Sequence, residues 1–376
     1  MHTHFLERAL LLATHGRWAP PPNPSVGCVI ASEQGIVLGE GFTQLAGGPH
    51  AEIMALRNAR ERGNSVEGAT AYVTLEPCSH TGRTGPCCDA LIEAGIKRLI
   101  CTQPDPNPLV GGKGLARLRS AGIEVTVLAS QDPLAQQSRE LNIGFFSRML
   151  RKMPWVRLKV ASSLDGMTAL SNGTSQWITS EEARRDGHAW RARASCVLTG
   201  VGTVLQDRPR LDVRMVATVR QPDVVIVDSH LQTPLDAPVL MPGRQCYIYT
   251  TSSDLHKANA LRDRGAIVIQ ESSAPSSDEV TRKVDLRAML QDLARREVNE
   301  IHVEAGHKLN GSLIREGLVD EMLIYMAPKI VGQGMPMTTL GPIAALTDAL
   351  ELEYLETQMV GPDLRIRARQ RGRGDF

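Results

Sequence analysis

The sequence predicts an α/β protein of two domains. Strand-like apolar runs alternate with helical stretches along nearly the whole chain, glycines and prolines punctuate that alternation, and 376 residues exceed what one ordinary core uses.

In the first half, residues 4–16 are apolar at helical spacing and stop at Gly16, after which "PPPNP" forces an irregular turn. "SVGCVIAS" and "GIVLGEGFT" read as strands, "HAEIMALRNARERG" as a helix closed by Gly63, and "GATAYVTLEP" as a third strand. A loop rich in Pro, Gly, Ser and Thr follows. Beyond it come a short helix in "CCDALIEAG", a strand in "KRLICTQ", a helix in "GLARLRSAG" and a strand in "IEVTVLA". These elements assign a first domain to residues 1–147, with the basic "SRMLRKMP" as connector. The second domain, 153–370, has strands at "WVRLKVASS", "SCVLTG", "DVVIVDS", "CYIYTT", "AIVIQE", "EIHVEAG" and "EMLIYMAPKIV". Its clearest helices are 181–194 and 285–298, and "ESSAPSSDE" is a Ser/Pro loop with no assigned role.

A net charge of +1 gives no signal for a polyanionic partner. Positive charge gathers only in "RIRARQRGRGDF", where Arg365, Arg367, Arg369, Arg371 and Arg373 read as a strand end running into a solvated, frayed tail. No apolar run approaches the ~18 residues of a membrane span, and "ALLLA" after Phe5 is too short and wrongly flanked for a signal peptide. A soluble, cytoplasmic protein without membrane or nucleic-acid partners is expected.

Seven scattered cysteines, an odd number without an export signal, point to reduced thiols. Cys28, Cys101, Cys196 and Cys246 sit in apolar strands and read as core. Cys78 and Cys87, each directly after a proline in "EPCSHTGRTGPCC", lie in a loop. His50 and Glu52 of "PHAEIMAL" open the preceding helix, where they face that loop. His50, Cys78 and Cys87 form an N/S set that suits one zinc per chain, with a fourth position left open for catalysis. Cys88 is a weaker substitute for Cys87, since adjacent helical side chains diverge. Glu52, two residues from His50, is placed to move protons rather than to ligate. H-x-E followed by P-C and a further Cys is the zinc nucleobase-deaminase signature. H-x-E alone is weak: His302-Val303-Glu304 repeats it on a strand without cysteines. A structural zinc site needs a fourth protein ligand, for which His80 is the candidate. A polynucleotide deaminase is a further alternative, disfavoured by neutral charge and an aromatic content of only 4%.

Pro22-Asn23-Pro24, "HAE", "TLEPCSHTGRTGPC" with eight residues between its cysteines, and "DPNPLVGGKG" resemble the deaminase domain of the bifunctional riboflavin-biosynthesis deaminase/reductase family. "LKVASSLDGMTA", "SQWITS", "GVGTVLQDRPRLDVR", "EAG" and "GLVDEMLIYMAPKIVG" are similar to that family's reductase domain. The resemblance implies a cytidine-deaminase-like α/β/α domain followed by a dihydrofolate-reductase-like α/β domain, assembled as a homo-oligomer. It implies zinc-dependent hydrolysis of the C2 amine of 2,5-diamino-6-ribosylamino-4(3H)-pyrimidinone 5′-phosphate. NADPH would then reduce the ribosyl chain of the product to ribityl. Carried over by motif, Asn23, His80 and Arg83 would contact the first substrate. Ala161, Trp177, Thr203, Asp207 and Ser229, with the stretch Gly306, His307, Lys308, Leu309, Asn310, Gly311 and Ser312, would bind cofactor. Ser175, Arg191, Leu211, Arg214 and Glu304 would bind the second substrate. The chain departs from the family at Thr43, where a histidine is usual, which puts substrate grip there in doubt. Spacing lends "EAGHKLNGSLI" some independent support: a strand passes through a glycine turn into a helix whose N-terminus attracts phosphate, though it is neither a Walker loop nor GxGxxG.

Overall fold

The computed structural model describes residues 3–16, 22–45, 47–79, 85–108, 110–271 and 282–376. The chain divides into two compact units, Met1–Lys152 and Met153–Phe376.

The first unit runs α1 (Thr3–Gly16), β1 (Gly27–Ala31), β2 (Val37–Phe42), α2 (Ala51–Glu61), β3 (Thr70–Val73), α3 (Cys87–Glu93), β4 (Arg98–Cys101), α4 (Lys113–Ser120), β5 (Glu124–Val127), α5 (Pro133–Leu141) and α6 (Ile143–Arg151). Its sheet has the order β2-β1-β3-β4-β5, with β1 antiparallel to both neighbours and β3, β4 and β5 parallel. Helices approach this sheet closely where it carries glycine. A Cβ on Gly27 would lie 1.9 Å from the Ala9 carbonyl of α1, and one on Gly41 would meet Met54 Cβ at 2.5 Å and the Ala51 carbonyl at 2.8 Å. The glycine of "VGC" therefore seats α1, and that of "GEG" seats the first turn of α2, which carries Glu52. The segment "SRMLRKMP", expected as connector, is helical through Arg151. The helix buries Ile143, Phe145 and Phe146, and within the segment Met149 is half-buried while Leu150 is exposed.

The second unit runs β6 (Trp155–Ser163), β7 (Met167–Leu170), α7 (Glu181–Arg193), β8 (Cys196–Gly200), α8 (Val201–Asp207), β9 (Asp223–Val227), β10 (Cys246–Thr250), α9 (Leu255–Asp263), β11 (Ala266–Gln270), α10 (Leu286–Arg295), β12 (Glu300–Val303), α11 (His307–Arg315), β13 (Glu321–Ala327), β14 (Gly334–Pro336), β15 (Glu353–Val360) and β16 (Asp363–Arg369). The large sheet has the order β11-β10-β9-β8-β12-β6-β13-β16-β15, parallel as far as β13 and antiparallel beyond it, while β7 and β14 form a small ribbon. From adjacent strands β8 and β12 the chain leaves in opposite directions, through α8 to β9 and through α11 to β13. Ligands bind α/β sheets at such a switch point.

The arginine-rich end does not fray. Arg365, Arg367 and Arg369 belong to β16 and turn toward carboxylates distant in the chain. Glu321, wholly buried, receives Arg157 Nε at 2.8 Å, Arg367 Nε at 3.0 Å and Arg369 Nη2 at 2.8 Å. Arg365 pairs with Asp186 at 2.9 Å and Arg373 with Asp320 at 2.7 Å, leaving Arg371 as the solvated member. Residues 272–281, and with them most of "ESSAPSSDE", lie outside the described residues.

Candidate functional site

His50 is the residue before the first turn of α2, with extended backbone, and Glu52 sits inside that turn. Cys87 opens α3, and its N–H donates to Cys78 Sγ at 3.4 Å, which holds the two ends of the loop together. His50 Nδ1 lies 3.6 Å from Cys78 Sγ and 3.3 Å from Cys87 Sγ, and the three ligand atoms all fall within 4.8 Å of one another. A tetrahedral zinc with bonds of about 2.3 Å to sulfur and 2.0 Å to nitrogen spaces such ligands roughly 3.5 Å apart, so the set fits that ion. Among the described residues it is the one cluster of His, Cys, Asp or Glu so arranged. The thiols act on each other. Contact with Cys87 and His50 holds the Cys78 thiol down, to about 4, whereas contact with Cys78 and burial push Cys87 up.

Glu52 is buried, and desolvation pushes its carboxyl up to about 7, with Cys78 adding to the shift and His50 opposing it. Cys88 turns away, donating to the Pro77 carbonyl at 3.2 Å. His80 and Arg83 lie outside the described residues. Asn23 is half-buried in a turn fixed from behind: Asn142 accepts from Ser25 N at 2.7 Å and donates to its carbonyl at 2.9 Å, and Arg148 donates to the Pro22 carbonyl at 3.1 Å. Thr43 is buried, and its hydroxyl accepts from Val26 N at 3.1 Å, so its side chain completes the β1–β2 edge.

Two carboxylates beside this cluster escaped the sequence reading. Glu76, buried two residues before Cys78, accepts four backbone N–H groups: Gly114 at 2.8 Å and Leu115 at 3.2 Å on Oε1, Asp105 at 3.0 Å and Gly112 at 2.9 Å on Oε2. It thereby caps α4, whose N-cap Gly112 has no side chain to do so, and ties "DPNPLVGGKG" to the cysteine loop. Asp105 is pushed up to about 7 by burial, with the charges of Glu76 and Cys78 adding to it. The signal was available: an acid directly before Pro-Cys, and a helix start lacking any Ser, Thr, Asp or Asn.

In the second unit, Arg191 and Glu304 form a two-armed pair, Nε to Oε1 at 2.7 Å and Nη2 to Oε2 at 2.9 Å, and Arg191 Nη1 donates to the Asp212 carbonyl at 2.5 Å. Burial opposes ionisation of Glu304, but Arg191, Lys159 and His302 hold its carboxyl well below the usual range. The second H-x-E is thus an ion-pair site, with His302 Nε2 3.5 Å from Glu304. Arg214 is half exposed and reaches Asp212 at 2.7 Å, so Arg191, Glu304 and Arg214 come together. Leu211 packs its side chain into the core, leaving only main chain to offer. Lys159, absent from the sequence-derived set, stands 4.0 Å from Glu304, its ammonium lowered by burial and by Arg191. It lies two residues before Ala161 on β6, hence on the same face, which period-two reading could have flagged.

The expected cofactor residues divide. Gly306 precedes α11 with no side-chain cap, and a Cβ there would meet only Thr203 Oγ1, at 3.8 Å. Gly306, His307 and Lys308 at the helix start and Thr203 on α8 therefore share the switch point between β8 and β12. Asp207 ends α8, and Ser229 follows β9, where its carbonyl accepts from Thr250 and Thr251. Leu309 packs against the core. Asn310 and Gly311 face the other way: Asn310 donates to the Met337 carbonyl at 3.0 Å, and a Cβ on Gly311 would lie 2.0 Å from the Thr339 carbonyl. Ser312 bonds within its own helix to the Lys308 carbonyl. Trp177 is 59% exposed with the Arg184 guanidinium 4.4 Å from its ring centre, and Ser175 is half-buried in the same loop. No helix among the described residues is long and apolar enough to cross a membrane.

Residues 1–103 match the family model of the cytidine and deoxycytidylate deaminase zinc-binding region, and residues 154–366 match that of the RibD C-terminal domain. The riboflavin biosynthesis protein RibD of Escherichia coli is 42% identical over 375 residues, spanning 96% of this chain and 97% of its own. Its counterpart in Aquifex aeolicus is 40% identical over 363 residues, spanning 96% and 97%. Among solved structures, Acinetobacter baumannii RibD is similar with a TM-score of 0.87 at 38% identity, covering 97% of this chain and 98% of that one. A Thermotoga maritima diaminohydroxyphosphoribosylaminopyrimidine deaminase/5-amino-6-(5-phosphoribosylamino)uracil reductase is similar with a TM-score of 0.83 at 31% identity, covering 98% of each chain.

Proposed function

This chain belongs to the RibD family of bifunctional riboflavin-biosynthesis proteins, and from that premise we propose how its two units divide the chemistry. The first unit is a zinc-binding deaminase with the cytidine-deaminase-like fold, and the second is a reductase with the dihydrofolate-reductase-like fold. The first deaminates 2,5-diamino-6-ribosylamino-4(3H)-pyrimidinone 5′-phosphate, and the second reduces the ribosyl chain of the product with NADPH. The observation that carries this reading is the His50, Cys78 and Cys87 set with a buried carboxyl two residues away.

Zinc, when held there, supplies Lewis acidity that brings a water's pKa toward about 7. Glu52 does the proton work. Its carboxylate takes a proton from water as the oxygen bonds to C2 and passes it to the ring nitrogen as the C2–N double bond opens; it then takes the hydroxyl proton and gives it to the exocyclic nitrogen, which leaves as ammonia while the C2 carbonyl forms. Asn23, His80 and Arg83 would orient the substrate, Arg83 suiting its phosphate. Glu76 fixes the loop that presents Asp105 beside Cys78.

In the second unit, NADPH supplies a hydride when bound. The uncapped start of α11 at Gly306, His307 and Lys308 would hold a cofactor phosphate, supported by Thr203 across the switch point. Arg191 keeps Glu304 ionised, and the pair positions Lys159, whose lowered pKa suits donation of a proton from Nζ to the ribose ring oxygen as its bond to the reduced carbon breaks. Arg214 would meet the substrate's phosphate. The partners are small molecules, and the chain acts in the cytoplasm as a homo-oligomer.

Glu52→Ala tests the division. It should retain zinc, release ammonia at roughly 10² below the parent rate, and still oxidise NADPH with the already deaminated substrate. Loss of both activities in a folded, zinc-loaded variant would mean that the two sites are not independent.

A further inference from the structure

Residues 210–214, "RLDVR", lie between α8 and β9 in no regular element, yet side chains from elsewhere pin their backbone at every residue. Arg244 donates from Nη2 to the Arg210 carbonyl and from Nη1 to the Leu211 carbonyl, the latter at 2.7 Å. Arg191 holds the Asp212 carbonyl, and Gln221 accepts from Val213 N at 2.7 Å and donates to its carbonyl at 3.0 Å. Buried His188 on α7 accepts from Arg214 N through Nδ1 at 3.2 Å. These bonds keep Leu211 in the left-handed backbone region, φ 51°, which such a side chain adopts only where its surroundings impose it. At the centre, buried Asp212 divides its two oxygens between two arginines: Oδ1 accepts from Arg214 Nη1 at 2.7 Å, and Oδ2 from Arg210 Nη2 at 2.7 Å. Burial opposes its ionisation, but Arg214 and Arg210 outweigh that and hold the carboxyl below its ordinary range. Both arginine side chains are otherwise about half exposed.

We propose that Arg210 joins Arg214 in a clamp, seated on Asp212, that grips the substrate's phosphate and makes the reductase prefer a phosphorylated pyrimidine to the same molecule without its phosphate. This rests on the reading of Arg214 as a phosphate contact and adds to it a residue outside the expected substrate set. Two guanidiniums share one carboxylate, which leaves one positive charge uncompensated, and Lys159 with Arg191 against Glu304 leaves another. A phosphate monoester, at about −1.5 to −2 near pH 7, matches that excess. Asp212 occupies one nitrogen of each arginine and leaves the others to a ligand, and the planar fork of guanidinium fits phosphate oxygens. An exposed arginine ordinarily loses side-chain freedom when it grips a ligand; here the carboxylate and the pinned backbone have already ordered both, which removes much of that cost. The clamp also stands beside the reacting groups, because Arg191, which holds the Asp212 carbonyl, holds Glu304 with its other nitrogens. The cofactor brings phosphate of the same chemistry, but its place is assigned to the start of α11 and Thr203, so the substrate is the source named here.

The test compares the already deaminated aminouracil phosphate with its dephosphorylated riboside as reductase substrates, in the full-length parent and in Arg210→Gln. The ratio of kcat/KM, phosphate over riboside, should fall about tenfold in the variant, the lower end for a bond to a charged group because Arg210 is half exposed. The fall should sit in the KM for the phosphate, since the clamp binds ground state and transition state alike. Inorganic phosphate should compete with the aminouracil phosphate in the parent and inhibit Arg210→Gln about tenfold more weakly, while the KM for NADPH keeps its parent value. An unchanged ratio overturns the role of Arg210, and so does an equal fall for both substrates, which would make it a support of the fold. A kept ratio with a raised KM for NADPH would give the clamp to the cofactor's phosphate and overturn it as well. Arg214→Gln separates this proposal from the reading beneath it. If that variant keeps the parent ratio, Arg214 does not meet the substrate's phosphate and the clamp falls with it; if it lowers the ratio and Arg210→Gln does not, the clamp alone falls.

Discussion

Glu76→Gln is expected to cripple the deaminase and leave the reductase untouched. The buried carboxylate accepts two backbone N–H groups on each oxygen. Glutamine keeps one oxygen, so whichever way the amide turns, two N–H donors face an NH₂ group. Hydrogen bonds to a charged acceptor contribute about 1.5–3 kcal/mol each, so losing two costs roughly 3–6 kcal/mol. That cost falls on residues 105–115, behind the Cys78 loop, and a shift of about 1 Å so near the chemistry lowers rates by roughly 10². Ammonia release, zinc content and hydrogen exchange at Gly112 and Gly114 measure the chain of effects in order. The expected result is retained zinc, faster exchange at both amides and a fall in deaminase kcat/KM, with NADPH oxidation unchanged. Parent-rate deamination with both amides protected would refute the role of the carboxylate. Loss of zinc would place the damage at the metal ligands rather than at segment 105–115.

Cys78→Ser or Cys87→Ser should each lose the one zinc that metal analysis finds in the parent, and Cys88→Ser, whose thiol faces Pro77, should keep it. Gly306→Ala should be tolerated, since a Cβ there meets only Thr203 Oγ1 at 3.8 Å, whereas Gly306→Leu should raise the KM for NADPH by crowding the start of α11. Stability should fall with acid in two stages, read as urea midpoints across pH. His188 and His302 are held down by burial, to about 4 and about 3, so their contribution is complete above the ordinary value near 6.5 and is lost as pH falls below it. Glu321 resists burial because Arg157, Arg367 and Arg369 keep it ionised, so its contribution is complete above about 4.3 and drains away at lower pH. A midpoint constant between pH 7 and pH 4.5 would contradict the histidine assignment, and one that falls no further below pH 4 would contradict that of Glu321.

By itself the sequence determined what is local. Alternating apolar runs and glycine stops specify α1, α2 and, apart from β7, the strands from β1 to β13, because period and punctuation act within a few residues. The His50, Glu52, Cys78 and Cys87 pattern was legible because zinc chemistry restricts residue type and spacing together. What only the tertiary structure decided depends on partners distant in the chain. Arg367 and Arg369 look solvated until β16 pairs with β13 and brings Glu321 beside them. Glu76 looks like an ordinary loop acid until α4 presents its uncapped N–H groups to it. Asn310 and Gly311 read as phosphate-loop residues until the chain at Met337 and Thr339 occupies their side of α11. In each case a charge or polar group takes its meaning from the group that desolvates or neutralises it, and a one-dimensional pattern does not record which group that is.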